Sequence, residues 1–437
     1  MAEYAGLPTL PLAGKNHVLL AVSGGSDSTA LLHLAVRQCR ELQSPPRLTA
    51  VTIDHRLRPE AALEALSVKA ACAELGIDHV TLEWAGDKPV TGIQSGARHA
   101  RRALLAEAAA KTRSDLVLTG HTLDDQRETV AMRMKRGAGP GLAGIAPASL
   151  AFNDSGAGEA VWFARPFLRI TRAALRCFLT ANGTSWIEDP SNDNDMYERV
   201  SVRKELALQP QESLIALDLR QQDAAARRCA AATAAALLLD KSAFQTAPGL
   251  IRLIPEFFNG PASNPALIAL RALMAFAAGK TGLAEEDGAR HVYDVSARFF
   301  AVPGGRHVSV GSGGALADIR KQGVYLMQEQ RRGRLNALAF AGRYRLLSEE
   351  PGLVLPQPCR SDPTPAPASL IRKAKASEPV FDCPATGATP ADQAWQTGKR
   401  LRLLLNPWPD LVPSFDLDLA QSLAALCGAP ALARPAL

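Results

Sequence analysis

The sequence has few cysteines and no long apolar run, and each absence removes a class of protein. Seven cysteines are scattered along 437 residues without a CxxC pair, so neither a zinc knuckle nor a disulfide framework is expected. The longest apolar stretch, roughly residues 230–239, is too short to cross a bilayer. No basic segment followed by an apolar core opens the chain, so no signal peptide is expected. These absences predict a cytoplasmic enzyme with free thiols and no membrane partner.

Two common nucleotide-binding signatures are also missing. The GK[ST] tripeptide occurs once, at Gly279-Lys280-Thr281, but Met274 occupies the position where a kinase-type P-loop needs its first glycine. We therefore expect a plain helix end there. A dinucleotide-binding GxGxxG also fails, because Gly24 and Gly25 are adjacent and no third glycine follows at the required step.

The stretch AVSGGSDSTALLHLA, residues 21–35, predicts a strand, a loop and a helix in succession. The apolar run 18–22 is typical of a buried strand in a parallel sheet, and Leu31, Leu34 and Ala35 fall on one helical face. Glycines allow the backbone to approach a ligand closely, and the start of the helix offers free N–H groups. The loop therefore predicts a phosphate cradle, made of Ser23, Gly24, Gly25, Ser26, Asp27 and Ser28. The alternative is a Ser/Gly turn in which Asp27 is an ordinary helix cap.

Residues 18–120 alternate short apolar runs with helical stretches, which predicts an α/β fold with a parallel sheet flanked by helices. Strands are expected at 18–22, 48–53, 79–84 and 115–119, and helices at 60–75 and 93–111. Ligands of such folds bind at the carboxyl ends of the strands. The loop 23–28, Asp54-His55 and Gly120-His121 all follow predicted strands, so we expect them to lie at one edge of the sheet.

The composition changes along the chain and predicts three domains. Residues 1–210 form the catalytic domain, residues 211–330 a mainly helical middle domain, and residues 331–437 a smaller mixed C-terminal region without an assigned role. Residues 137–160 are rich in glycine and alanine and are expected to form a loop over the site. Residues 355–369 are proline-rich and predict a linker or exposed loop.

The net charge of +6 is distributed in clusters. Arginines and lysines gather at 98–102, 133–136, 165–176 and 199–204. A single cluster is best explained as a solvated face, but four within one domain favour a polyanion such as RNA as partner.

A second informative stretch, residues 119–145, begins at a strand end and continues into a helix that starts near Leu123. Asp124 and Asp125 lie four and three residues before Glu128, so the carboxylates share one helical face. Acids in a first helical turn also favour the positive end of the helix dipole. Beside the strand-end His121, they suit either magnesium binding or recognition of an amine.

These residues carry a resemblance. The hexapeptide SGGSDS, residues 23–28, resembles the PP-loop of the N-type ATP pyrophosphatases, and the stretch 119–145 resembles the GHxxDDQxET…RGxGxxGLxG segment of tRNA(Ile)-lysidine synthetases. Three further segments resemble that family in collinear order over roughly residues 17–207: Ile53–Arg58, Ala97–Arg101, and Trp186–Asn192 with Tyr197, Glu198, Arg199 and Arg203. Arg102 and Val200 depart from the family pattern at positions that concern tRNA contacts.

The resemblance implies a PP-loop ATP pyrophosphatase fold and an ATP-dependent reaction on the wobble cytidine of a tRNA(Ile) with a CAU anticodon. ATP would activate the ring carbonyl oxygen as an adenylate with release of pyrophosphate, and L-lysine would then displace AMP to give lysidine. The base already lies in a single-stranded anticodon loop, so little unstacking is required. The implied cofactors are ATP and magnesium, and a homodimer is one open arrangement.

Roles for individual residues follow from the resemblance. Residues 23–28 and Asp54 would bind ATP, and Asp27, Arg98, His121, Asp125 and Glu128 would be catalytic. Magnesium would be held among Asp27, Asp124 and Asp125, with the division between metal and lysine left open. Contacts to tRNA would come from Arg101, Arg136, Arg199 and Arg203.

Three rival functions fit the sequence less well. A PP-loop tRNA thiolation enzyme with a cluster or persulfide would need paired cysteines near the site, whereas Cys39 and Cys72 lie on predicted helices and Cys177 is isolated. An amidotransferase-type ligase would need a glutaminase domain before the first strand. A degenerate ATP-binding RNA chaperone would not be expected to retain the loop together with the acids of residues 124–128.

Overall fold

The computed structural model describes most of the chain in two compact units, residues 1–227 with 435–437 and residues 228–434. The described residues are 6–56, 61–85, 88, 91–137, 139–152, 160–188, 198–302, 304–329, 339–340, 344–348, 362, 364–375 and 400–435. The three domains predicted from composition stay a prediction.

The first unit is built on a mostly parallel sheet with strand order β5-β6-β4-β1-β2-β3. Neighbours β1–β2, β1–β4, β2–β3 and β4–β6 are parallel, and β5 is antiparallel to β6. The elements are β1 (His17–Ala21), α1 (Ser26–Glu41), β2 (Arg47–Asp54), α2 (Ala61–Leu75), β3 (Asp78–Glu83), α3 (Ile93–Thr112), β4 (Leu116–Thr119), α4 (Leu123–Lys135), β5 (Ala148–Phe152), β6 (Ala160–Ala164), α5 (Arg172–Ala181), α6 (Glu198–Ala207) and α7 (Gln211–Ser242), whose last turns belong to the second unit.

Burial explains why these segments form strands. Every residue of β1 and β4 is buried, and continuous apolar runs are the pattern of strands covered on both faces. Helices α1, α2 and α3 connect parallel strands and pack on the sheet, which requires crossovers of this kind. The predicted parallel sheet flanked by helices is confirmed.

The glycine-rich stretch differs from its prediction. We expected one loop over residues 137–160, but 140–143 form a 3-10 turn and 148–152 form β5, so the prediction is wrong for these residues. Small buried side chains at Ala148, Ser149 and Ala151 let this strand lie against β6. Their small size and the glycines on the amino-terminal side hid the strand in the sequence.

The second unit combines helices with antiparallel strands. A five-stranded sheet has the order β7-β8-β11-β10-β9, and a three-stranded sheet the order β12-β13-β14. The elements are β7 (Ala243–Ala247), β8 (Leu250–Leu253), α8 (Asn264–Ala278), α9 (Glu286–Ala301), β9 (Val308–Ser312), β10 (Ala315–Arg320), β11 (Gly323–Gln328), β12 (Ala339–Phe340), β13 (Tyr344–Ser348), α10 (Ala368–Lys375), β14 (Arg400–Leu403), β15 (Leu411–Pro413) and α11 (Leu417–Cys427).

The second unit has its own buried core. Helix α8 is almost wholly buried and ends at Gly279, whose left-handed φ of 66° closes the helix, so GKT is a helix end as expected. Tyr325 and Leu370 pack together in the core, and a bidentate ion pair of Arg252 with Asp362 lies beside them with side chains only 6% and 1% exposed. In the parts of the chain that the structure describes, no helix has the length and apolar composition of a membrane span.

Candidate active site

The loop between β1 and α1 forms a cradle at the carboxyl edge of the sheet. Gly25 caps α1 with its carbonyl, which accepts the amide of Thr29 at 3.0 Å and the hydroxyl of Ser28 at 3.0 Å. The amide of Ser23 donates in turn to the Ser28 hydroxyl at 3.1 Å. These bonds fix the loop around the start of a helix, which is where backbone N–H groups and the helix dipole favour an anion.

Gly24 is required by both conformation and space. Its φ of +88° lies in the left-handed region, and a Cβ there would stand 2.6 Å from Cδ1 of Ile187. The carbonyl of Gly24 also accepts the amide of Ile187 at 2.9 Å, so the segment that contains Trp186 and Glu188 lies directly against the cradle. Arg176 joins this contact by pairing with Glu188 at 2.9 Å. Of the resembling segment, residues 189–197 lie outside the described residues.

Asp27 begins an alternating chain of acids and arginines. Its Oδ2 accepts Nε of Arg172 at 3.0 Å, and its Oδ1 accepts the hydroxyl of Ser26 at 3.1 Å. Burial raises the pKa of Asp27, and the charge of Arg172 opposes that rise. Arg172 also lies 3.8 Å from Oδ1 of Asp125, so one guanidinium spans the cradle and the start of α4.

The chain continues through α4 and α6. Arg199 donates to Oδ1 of Asp125 at 2.9 Å and to Oε2 of Glu128 at 2.6 Å, and Arg203 donates to Oε1 of Glu128 at 2.7 Å. The Glu128 side chain is 1% exposed, and burial raises its pKa although Arg203 opposes the rise. Asp125 completes a capping box, because its Oδ2 accepts the amide and the hydroxyl of Thr122. Both ends of each carboxylate are therefore engaged within the protein.

Asp124 faces a different partner from its neighbour. Its Oδ2 accepts the main-chain amide of Arg172 at 2.7 Å, which fixes the start of α5 against α4. The predicted acids thus meet at one place, and Arg172 is the group that sequence reasoning did not assign to the site. The signal available was weak, since Arg172 is one of four arginines in a basic run, although it follows Thr171 at a helix start.

Basic side chains gather around His121, which lies just before α4. Burial holds the pKa of the His121 imidazole far below its ordinary value, and the charges of Arg165, Arg101 and Arg98 lower it further. Nδ1 of His121 lies 2.9 Å from the hydroxyl of Thr119. Because burial and the positive charges of these arginines both disfavour protonation, His121 is a neutral hydrogen-bonding group.

Arg165 is the most constrained member of this basic group. Its Nη1 donates to the carbonyl of Ala146 at 2.9 Å and to the hydroxyl of Ser149 at 3.0 Å. Its Nε is buried and has no hydrogen-bonding partner among the described residues. Burial, with the charge of Arg102, lowers the pKa of Arg165 to about 10. An arginine held in this way favours an anion nearby.

The end of β2 supplies a second polar edge. Asp54 is 9% exposed, and its Oδ1 accepts the amide of Arg56 at 2.7 Å. The adjacent His55 contacts Trp84 edge to face at 6.0 Å, and its buried Nδ1 meets no partner in the described part of the chain. Burial lowers the pKa of His55, and Arg101 adds to this effect. Asp54 and the unpartnered Nδ1 of His55 therefore lie together at the carboxyl end of β2.

The four arginines predicted to contact tRNA lie in different settings. Arg199 and Arg203 pair with the buried acids, Arg136 at the end of α4 pairs with Glu198, and Arg101 lies near His121 and His55. Their assignment to tRNA stays a prediction.

Three carboxylates are predicted to hold magnesium: Asp27, Asp124 and Asp125. Across the described residues, no group of three or more histidine, cysteine, aspartate or glutamate side chains is placed to hold a metal ion. Asp27, Asp124 and Asp125 all accept hydrogen bonds from the protein, and of the three only Asp27 lies in the loop predicted to hold phosphate. Magnesium in nucleotide sites is commonly held by one or two carboxylates together with phosphate oxygens. Asp27 fits that arrangement as a single protein ligand.

The cysteines give the rival thiolation chemistry little support. Cys39 and Cys72 are buried on α1 and α2, and burial raises the pKa of the Cys72 thiol to about 11. Cys177 is exposed on α5. A buried thiol with a raised pKa is a poor nucleophile.

Comparisons with known proteins show the family to which the chain belongs. A PP-loop domain family matches residues 5–210. A tRNA(Ile)-lysidine synthase of Mesorhizobium japonicum is 37% identical over 434 residues, which cover 94% of this chain and 92% of that protein. The synthase of Rhizobium meliloti is 48% identical over 203 residues, covering 44% of this chain and 43% of that one, and the synthase of Brucella anthropi is 38% identical over 265 residues, covering 60% and 58%. Identity at this level over nearly the full length of both chains shows that the protein belongs to the tRNA(Ile)-lysidine synthase family.

Proposed function

We propose that the protein joins L-lysine to the wobble cytidine of a CAU-anticodon tRNA(Ile) at the expense of ATP. The observation that carries this proposal is the charged chain that connects Asp27 in the phosphate cradle to Asp125 and Glu128 on α4. This chain of ion pairs would connect the binding site for pyrophosphate to the binding site for the lysine amine, and the reaction needs both sites. The similarity to a lysidine synthase over 94% of this chain supports the same choice.

The nucleotide is expected along the carboxyl edge of the sheet. The residues 23–28 would hold the pyrophosphate end, where backbone N–H groups meet the charge that develops on the leaving group. Asp54 and the unsatisfied Nδ1 of His55 offer polar atoms to the ribose or the adenine edge. Magnesium held by Asp27 together with phosphate oxygens would neutralise charge on the leaving pyrophosphate.

The first step would form a bond between the cytidine O2 and the α-phosphorus as the bond to pyrophosphate breaks. Arg98 and Arg101 lie near His121 and would balance charge on the nucleotide during that transfer. The neutral His121 suits a hydrogen bond to the base or the phosphate without adding a further positive charge.

The second step would form the bond between the lysine side-chain nitrogen and C2 of the cytidine, while AMP departs with the former O2. Asp125 and Glu128 supply the carboxylates that attract the ammonium group. The amine must lose a proton before attack, and Asp125, whose side chain is 14% exposed against 1% for Glu128, would be the more accessible acceptor of the two.

The tRNA would be held by the predicted arginines, Arg101, Arg136, Arg199 and Arg203, with Arg199 and Arg203 sharing their guanidiniums between the acids and phosphate. A homodimer and a cytoplasmic location belong to the same proposal.

An AMP-release assay with purified protein, magnesium, ATP and labelled lysine tests the proposal, with and without the CAU-anticodon tRNA(Ile) transcript. We expect AMP that depends on tRNA and label fixed in RNA. Arg98→Met should abolish both products, while Lys111→Met on the same helix, where Lys111 forms an exposed pair with Glu107, should leave them unchanged. AMP without label in RNA would point to the thiolation alternative, and no AMP in any combination would overturn the proposal.

A further inference from the structure

Arg172 has three contacts that together tie the phosphate cradle to α4. Its Nε donates to Oδ2 of Asp27 at 3.0 Å, its Nη2 lies 3.8 Å from Oδ1 of Asp125, and its main-chain amide donates to Asp124 at 2.7 Å. The side chain is 20% exposed, and those of Asp27 and Asp125 are 19% and 14% exposed. The main-chain bond fixes the base of the side chain, while the guanidinium touches two acids on different helices.

The two ion pairs of Arg172 are unequal. The contact with Asp27 is a hydrogen bond, whereas the 3.8 Å separation from Asp125 is a charge contact without one. A displacement of less than about 1 Å would turn the second contact into a hydrogen bond. The guanidinium therefore has a second acid within reach when its first partner is taken.

Asp27 is also the carboxylate that fits a nucleotide-bound magnesium ion. One oxygen of this half-buried carboxylate accepts a guanidinium and the other accepts a hydroxyl. Binding of a second cation is unfavourable while the guanidinium remains. Two cations at one carboxylate repel each other, and the repulsion is strong in a partly buried site. Metal binding at Asp27 therefore requires that Arg172 leave it.

We propose that Arg172 is a positioning residue that acts as the exchangeable counter-charge of Asp27: it neutralises Asp27 before the nucleotide binds and moves to Asp125 when the magnesium nucleotide takes Asp27. This inference rests on the proposed function, because it assumes that a magnesium nucleotide occupies the cradle. It also connects the two halves of the site. Oδ1 of Asp125 already accepts Arg199, so an approaching Arg172 competes for the same oxygen and shifts Arg199 toward Glu128.

Nucleotide binding with and without magnesium separates this role from a structural one. The full-length protein is titrated with an ATP analogue that has a methylene bridge between the α- and β-phosphorus, once with magnesium and once with EDTA. Without Arg172, the bare Asp27 repels the metal-free nucleotide and attracts the metal. In Arg172→Met we therefore expect the ratio of the two dissociation constants, EDTA over magnesium, to rise about tenfold above the wild-type ratio, the size of effect that one nearby opposite charge commonly has.

Three further variants sharpen the test. Arg172→Lys keeps the charge and should restore a ratio near the wild-type value. Adding Asp27→Asn to Arg172→Met should bring the ratio down below that of the wild type, because no carboxylate is left for the metal. The exposed Arg169 lies in the same basic run, and Arg169→Met should change neither constant.

The outcomes distinguish this inference from the proposed function. If Arg172→Met raises both dissociation constants by the same factor, Arg172 has only a structural role and the inference is wrong, while the lysidine proposal stands. If the wild-type protein binds no nucleotide in either condition, the proposed function fails and the inference fails with it. A raised ratio that Arg172→Lys corrects supports the exchange.

Discussion

The buried ion pairs of Glu128 allow a quantitative prediction. Replacing Glu128 with Gln keeps the shape of the side chain but removes the charge that balances Arg199 and Arg203. Removing one partner of a buried ion pair commonly costs about 3–5 kcal/mol, because the other charge stays buried without compensation. Here Arg199 keeps its pair with Asp125, and the arginine side chains are 19% and 33% exposed and can regain some water, so we expect the low end of this range, about 3 kcal/mol.

The loss should appear where α6 meets α4. Hydrogen exchange measured by mass spectrometry reports the opening of Glu198–Ala207 without requiring that the whole chain unfold in one step. A loss of about 3 kcal/mol corresponds to an increase of about a hundredfold in exchange through opening of this helix, since about 1.4 kcal/mol is a factor of ten. The amides of α8, in the other unit, should exchange as before.

The same two helices provide a matched control. Lys135 and Glu205 also join α4 to α6, at 2.7 Å, but their side chains are 47% and 53% exposed. Glu205→Gln should change exchange by no more than about fivefold, because exposed pairs contribute about 0–1 kcal/mol. Equal effects of Glu128→Gln and Glu205→Gln, or an effect of Glu128→Gln below about fivefold, would refute the reasoning that burial makes the Glu128 pairs strong.

Three other perturbations have expected results. Burial depresses the pKa of His121 in the folded protein, so below about pH 6.5 only the unfolded chain binds the proton and the free energy of unfolding falls, by at most about 1.4 kcal/mol per pH unit. His121→Gln should therefore flatten this fall, measured by urea unfolding between about pH 7 and pH 5.5. An unchanged slope would contradict the argument. Gly24→Ala should abolish nucleotide binding in a calorimetric titration, because it adds crowding to strain, while Gly14→Ala, at φ +70° in open space, should bind normally; equal losses would mean that crowding is irrelevant. Arg252→Met leaves Asp362 buried without its cation, so scanning calorimetry should show a destabilisation of about 3–5 kcal/mol in the second unit, with nucleotide binding retained; a normal thermogram would contradict it.

Local patterns were sufficient to place most of the first unit. The strands β1 and β4 are continuous apolar runs, and the structure ends them within a residue or two of the predicted positions. The strand β5 could not be found in this way, because ASLAF follows a glycine-rich segment and its partner strand lies later in the chain.

The site was predictable only in part, for a physical reason. The shared face of Asp124, Asp125 and Glu128 follows from helical periodicity, which is a local property. Their partners come from other helices: Arg172 lies 48 residues from Asp124, and Arg199 lies 71 residues from Glu128. An arginine's charge is visible in a sequence, but which acid it meets depends on packing. The charge of Arg199 predicted a contact with RNA, which stays a prediction, whereas its pairing with Asp125 and Glu128 could not be foreseen from the sequence.

The closing of the cradle by residues 172–188 has a consequence for synthesis of the protein. The glycine turn leaves the ribosome early, but the amide that binds its carbonyl belongs to Ile187, and the cation that neutralises Asp27 belongs to Arg172. A nascent chain that has passed β1, β2 and β4 therefore has the loop but neither of these closing groups. Competence to hold a nucleotide should be acquired late in translation of the first unit, so an incomplete chain is not expected to sequester ATP.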